Sequence, residues 1–232
     1  MTPHFISAVE RPQSALASRG AAQVYWLLTL AMITTLAGIF AGATFAFPLI
    51  SSGWVFLLLL AEFALIFSSR AWVRSSPLNY VLFLLFPFFS GLTITPFLMS
   101  VVTGYVNGAT ILLNASIATV LMTASSAVIA SMTKDLGSTM GRFLFHSLIG
   151  LVVFGLLQLF IPALRSAGIE MIVSGAGIVI FGLFLAYDIQ RLSRDTALGQ
   201  SPFLLALSLY LDIFNLFLYV VRFMLATSGR RG

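Results

Sequence analysis

Seven stretches of about 20 mostly apolar residues follow one another along this chain and leave little room for anything else. They run near Val24–Phe47, Gly53–Ser69, Tyr80–Val101, Ala109–Met132, Phe143–Pro162, Glu170–Leu192 and Phe203–Ala226. Inside a bilayer every backbone N–H and C=O must find its partner within the chain, so each such stretch has to be a helix. Composition agrees: 59% of residues are hydrophobic and 8% charged, where a soluble domain carries about a quarter. The expected fold is an all-α membrane protein, a seven-transmembrane-helix bundle over residues 23–228. Residues 1–22 are mixed and polar, lack the apolar core of a cleavable signal peptide, and read as a flexible cytoplasmic tail. The chain has no cysteine, which excludes disulfides, thiolate metal sites and a cysteine nucleophile.

The net charge of +5 sits at the ends of the spans, so it reports topology rather than nucleic-acid binding. With the N-terminus inside, the inner loops collect Arg11, Arg19, Arg70, Arg74, Lys134, Arg142, Arg191 and Arg194, and the outer loops only Arg165. Arg230 and Arg231 argue the other way, so the last stretch either crosses with a basic tail outside or re-enters and returns. Crossing fits its length better. Pro48 to Ser52 make a tight link between the first two spans, and Pro87 and Pro96 should kink the third or unwind a turn of it. Gly38 and Gly42, and Gly175 and Gly177, read as close helix packing.

Two carboxylates stand out. Asp188 and Asp212 lie inside the last two apolar stretches, where an ionisable group is costly and commonly marks a proton, ion or substrate path. Gly199-Gln200-Ser201-Pro202 between them offers a helix stop, an N-cap and a first-turn proline. Asp188 lies 12 residues before Gln200 and Asp212 lies 12 after it. An antiparallel hairpin would put both at similar depth, roughly 8–14 Å from the inner helix ends. At 100° per residue, Ser208, Asp212, Asn215, Tyr219 and Arg222 form one polar stripe, and Ser174, Gly177, Asp188, Arg191 and Asp195 another. Such stripes face the bundle interior or water, so Ser208, Asn215 and Tyr219 are candidate pore-lining residues. Two close carboxylates titrate in coupled steps: sharing a proton they bind each other, and without it they repel or recruit a cation. Calcium suits their oxygens, so Asp188 and Asp212 are a candidate pH sensor and weak calcium site.

Glu62 lies near the middle of the second span, with Arg70 and Arg74 at its inner end. Arg70 is about 12 Å inward of Glu62, and Asp212 about 15 Å inward of Arg222. Two levels of pairing follow: Arg70 or Arg74 as a latch for the aspartates, and Glu62 with Arg222 as an outer gate or structural tie. Spacing does not choose between the two latch arginines. Arg191 and Arg194 read as topological anchors, and His146 as a satisfied packing residue.

Phe184-Leu-Ala-Tyr-Asp-Ile-Gln-Arg-Leu192, followed by Ala206-Leu-Ser-Leu-Tyr-Leu-Asp-Ile-Phe-Asn-Leu-Phe-Leu-Tyr-Val-Val-Arg222, resembles the bacterial Bax-inhibitor-motif family, as does Ala61-Glu-Phe-Ala-Leu65. The resemblance covers nearly the whole chain. It implies a seven-helix bundle of a bacterial inner membrane with the last helix central, and a pH-dependent calcium leak. It also implies that the residues matching Asp188 and Asp212 form the pH-sensing pair. An arginine near the inner end of the second helix would latch them, and a pair matching Glu62 and Arg222 would tie the second helix to the last.

Two other classes compete. A non-transporting membrane regulator would act through a protein partner and pass no ions. An intramembrane aspartyl protease would also place Tyr-Asp, here Tyr187-Asp188, one helix before a second aspartate. Those proteases carry Gly-x-Gly-Asp at the second position, where this chain has Leu209-Tyr210-Leu211-Asp212. The expectation is therefore no enzymatic activity and no organic cofactor, with the bilayer, protons and calcium ions as partners. A retinal protein is excluded because the only lysine, Lys134, lies in a loop.

Overall fold

A computed structural model describes residues 3–46, 53–133 and 136–228. Regular structure among them is entirely helical. The helices are α1 Pro3–Ala41, α2 Val55–Phe67, α3 Ser69–Trp72, α4 Leu78–Gly104, α5 Gly108–Met132, α6 Gly137–Phe160, α7 Ala167–Ala197 and α8 Pro202–Ala226. Among the described residues, six helices are long and apolar enough to cross a membrane: α1 from Arg19 onward, α4, α5, α6, α7 and α8. α2 is the shorter apolar helix, 13 residues or about 20 Å. It barely stops at Ser68, whose backbone stays right-handed helical and whose N–H reaches Ala64 O at 2.9 Å. The Trp72 indole then donates back to Leu65 O at 3.2 Å, fastening α3 to α2.

The N-terminal segment is helical from Pro3, where α1 begins. Alanines at 8, 15, 17, 21 and 22, with Glu10, Arg11 and Gln13, are good helix formers and Pro3 suits a first helical position, while Pro12 lies within the helix and opposes it. α4 stays continuous through Pro87 and Pro96, so neither proline unwinds a turn. The Pro48–Ser52 link, Lys134, Arg230 and Arg231 lie outside the described residues.

The chain divides into two compact units, one of Met1–Met99 with Arg191–Tyr210, the other of Ser100–Gln190 with Leu211–Gly232. In the first, α1 and α4 approach until backbone meets backbone. A Cβ on Gly38 would overlap Phe88 O, and one on Gly91 would overlap Thr35 O. Gly42 seats Thr95 in the same way. The Gly38–Gly42 pair is therefore a packing motif, as its spacing suggested. Aromatic edges complete this core: Tyr80 and Phe83 meet Phe203, and Phe86 meets Tyr210. Tyr210 is fully buried, with its hydroxyl 2.8 Å from Thr35 Oγ1.

In the second unit, Ser126 of α5 donates to Gly182 O of α7 at 2.9 Å. Gln190 holds the α5–α6 connection, accepting from Leu136 N–H at 2.7 Å and donating to Thr133 O at 2.6 Å. Outward faces are strongly apolar: Phe67, Phe160 and Met132 are 82%, 81% and 79% exposed. Side chains of this kind left uncovered over whole helices suit lipid rather than water.

Candidate functional site: a carboxylate seam and an ion-pair cluster

The α7–α8 turn has the geometry its sequence predicts. Gly199 adopts φ +76°, the left-handed conformation that favours glycine. Gln200 N–H bonds Asp195 O and Gly199 N–H bonds Thr196 O, both at 3.0 Å, closing α7 in a Schellman motif. Pro202 opens α8, and Ser201 O receives the N–H groups of Leu204 and Leu205.

Farther from the turn, within the second unit, α7 and α8 face each other along a seam. The Tyr219 ring stacks on Phe181 with centroids 5.6 Å apart and lies against Gly177, where a Cβ would collide with it. Phe181 and Tyr219 are equidistant in sequence from residue 200, as an antiparallel hairpin requires. Asp188 is one heptad beyond Phe181 and Asp212 one heptad before Tyr219. A heptad returns to within about 20° of the same helix face, about 10 Å along the axis. The two aspartates thus continue the seam, at one level, on the faces that carry the stacked rings. Asp212 is 6% exposed and Asp188 half-buried.

The predicted lining residues have separate surroundings. The Asn215 amide donates to Leu211 O on its own helix at 2.8 Å. Tyr219 fills the Gly177 notch, and Ser208 is a half-buried member of the first unit. Arg191 pairs with buried Asp195 one turn on, at 2.6 Å. His146 is satisfied but not packed: its Nδ1 lies 2.7 Å from Arg142 O, on an exposed face.

Glu62 and Arg222, expected as an outer pair, belong to different units, and each is bonded within its own. In the first unit, Glu62 accepts from Ser90 Oγ at 2.9 Å and Thr93 Oγ1 at 2.8 Å, tying α2 to α4. In the second, Arg222 pairs with Glu170 through Nε and donates from Nη2 to Gln158 Oε1 at 3.1 Å. Gln158 also donates to Glu170 Oε2 and to Leu164 O, each at 3.0 Å, and its own carbonyl accepts from Arg165 Nε at 2.6 Å. Arg222 further lies over the Tyr219 ring, 5.5 Å from its centroid. Helix phase places Arg222 in the stripe but does not identify its carboxylate. Glu170 marks the edge of its apolar stretch, and the long arginine side chain reaches it from several residues away.

Arg70 and Arg74 belong to the first unit, are exposed, and have no ion-pair partner among the described residues. With Val73, Gln200, Ser201 and Leu204 they line a cavity of about 340 Å³. No cluster of three or more His, Asp or Glu fit to hold a metal occurs among the described residues.

Apolar helices of spanning length and lipid-suited outer faces define a polytopic helical membrane protein. The chain belongs to the Bax inhibitor motif family: the family described as Inhibitor of apoptosis-promoting Bax1 matches residues 18–230. It is similar to an uncharacterized protein of Campylobacter jejuni, 33% identical over 88% of this chain and 84% of that one. It is also 33% identical to an uncharacterized protein of Helicobacter pylori J99, over 76% of this chain and 73% of the relative. The inner membrane protein YbhL of Escherichia coli K12 is 30% identical over 87% of this chain and 88% of its own.

Proposed function

We propose that this chain is a pH-sensitive cation leak of a bacterial inner membrane, with calcium as the ion carried and Asp188 and Asp212 as sensor and weak ion site. The observation that carries this reading is the seam, in which both aspartates lie one heptad from the Phe181–Tyr219 stack. Two carboxylates held at one level gain and lose protons in coupled steps. Sharing one proton, they bind each other. Without it they repel, or admit a hard cation that accepts oxygen ligands in flexible geometry.

The same reading takes the nearly continuous helix of α2 and α3 as a seventh crossing and puts the N-terminus in the cytoplasm, from the Lys and Arg asymmetry. It makes α8 the central helix, in keeping with its buried Leu216, Val220 and Val221. Arg70 or Arg74 acts as latch, and the protein transports rather than catalyses, without an organic cofactor. The name of the Escherichia coli relative supports the inner-membrane location.

The test is calcium entry into dye-loaded liposomes carrying the purified protein, followed from about pH 5 to 8. Wild-type flux should follow pH, and Asp188→Asn and Asp212→Asn should flatten the response. An equally steep response in both variants would overturn the sensor assignment. No flux above empty liposomes at any pH would replace the leak with a regulator acting through a protein partner. Peptide cleavage lost in Asp212→Asn would instead make the pair a protease dyad.

A further inference from the structure

Within the first unit, the cavity lined by the α3 end and the α7–α8 turn has a chemistry beyond the single latch arginine that the leak reading uses. Two of its six lining residues are arginines, Arg70 and Arg74, and two more, Gln200 and Ser201, bring an amide and a hydroxyl. Neither guanidinium has a carboxylate partner among the described residues. That contrasts with Arg191, held by Asp195, and with Arg222, held by Glu170. Two guanidiniums lining one cavity, neither paired with a carboxylate among the described residues, suit an anion between them. Guanidinium forks match the oxygens of a phosphate in geometry and charge, more closely than an ammonium would.

The remaining walls fit the same ligand. Val73 and Leu204 supply a short apolar strip that suits the carbon side of a phosphate ester. The first turn of α8 adds the positive end of a 25-residue helix. A volume of about 340 Å³ equals roughly ten waters, room for a phosphate ester with part of its hydration shell. On the proposed topology both arginines lie at the inner end of the second span, Arg70 in α3 and Arg74 in the turn after it, where lipid phosphates are found.

We infer that Arg70, Arg74, Gln200 and Ser201 form a binding site for a phosphate group, supplied either by an anionic phospholipid headgroup or by free phosphate. Arg70 and Arg74 hold the oxygens, Gln200 and Ser201 orient them, and the apolar strip receives the ester carbons. The site shares its arginines with the latch of the proposed function, but its test does not read calcium flux.

The experiment compares thermal unfolding of the full chain in two arms. The first titrates inorganic phosphate into detergent-solubilised protein. The second places the protein in nanodiscs of phosphatidylcholine alone or with phosphatidylglycerol. Wild type, Arg70→Gln/Arg74→Gln and the charge-loss control Arg19→Gln are run in parallel. A ligand that binds only the folded state raises the unfolding temperature with its concentration. Stabilisation by phosphate in wild type and control, with apparent affinity about tenfold or more weaker in the double variant, assigns the site to free phosphate. The same pattern in the phosphatidylglycerol arm alone assigns it to a lipid headgroup. Stabilisation that is absent from both arms, or that falls equally in Arg19→Gln and the double variant, overturns the proposal. Both arginines are exposed, so the double variant retains its core.

Discussion

Glu62 and Glu170 are both acidic residues set among apolar helices, and the chain satisfies them in opposite ways. Glu170 is held by a cation and an amide, Arg222 and Gln158, and both of those are committed to further partners. Glu62 is held by two hydroxyls that have other acceptors in reach. Ser90 Oγ lies 3.1 Å from Phe86 O, and Thr93 Oγ1 lies 3.1 Å from Ser90 O. Removing a partner from the first cluster strands a charge, whereas removing Glu62 lets two hydroxyls turn to their own helix. The difference separates a fixed tie from an adjustable contact.

The largest effect that would sharpen this comparison is expected from Arg222→Leu. It leaves Glu170 without its cation and should lower stability by about 2–3 kcal/mol, less than a fully buried pair because both partners are partly exposed. Chemical denaturation in detergent measures it. Adding Glu170→Leu should recover most of the loss, and a double variant no better than the single one would break the tie assignment.

Gln158→Leu comes next. It removes the amide that bridges Glu170, Arg222 and Leu164 O and should cost about 1–2 kcal/mol in the same assay. Glu62→Leu should stay within about 1 kcal/mol of wild type, since Ser90 and Thr93 keep acceptors. A loss as large as that of Arg222→Leu would mean that Glu62 is also a fixed tie. Smallest of all should be Thr93→Val, at about 0.5 kcal/mol, because Ser90 still holds the carboxylate.

What the sequence makes legible is what short-range chemistry dictates. Gly199 and Pro202 specify their turn through backbone conformation alone, and Gly38 and Gly42 announce a close crossing by being small. The facing of Phe181 and Tyr219 follows from counting residues on either side of that turn. Glu170 as the partner of Arg222 depends on side-chain reach and on Gln158, a neutral residue 64 positions away that no periodicity marks. Ser90 and Thr93 are equally silent, since hydroxyls on an apolar helix commonly bond their own backbone. The helical N-terminal segment is a case of local propensity that polarity alone obscures.

The ion pair of Arg222 with Glu170 bears on how the hairpin enters a membrane. An arginine and a glutamate carried separately into hydrocarbon would each cost several kcal/mol. Here they sit on the two helices joined by the Gly199–Pro202 turn, so both ends of the pair arrive together. The α7–α8 hairpin therefore carries its own counter-charge. The aspartates, 24 residues apart in sequence, lie on the same hairpin.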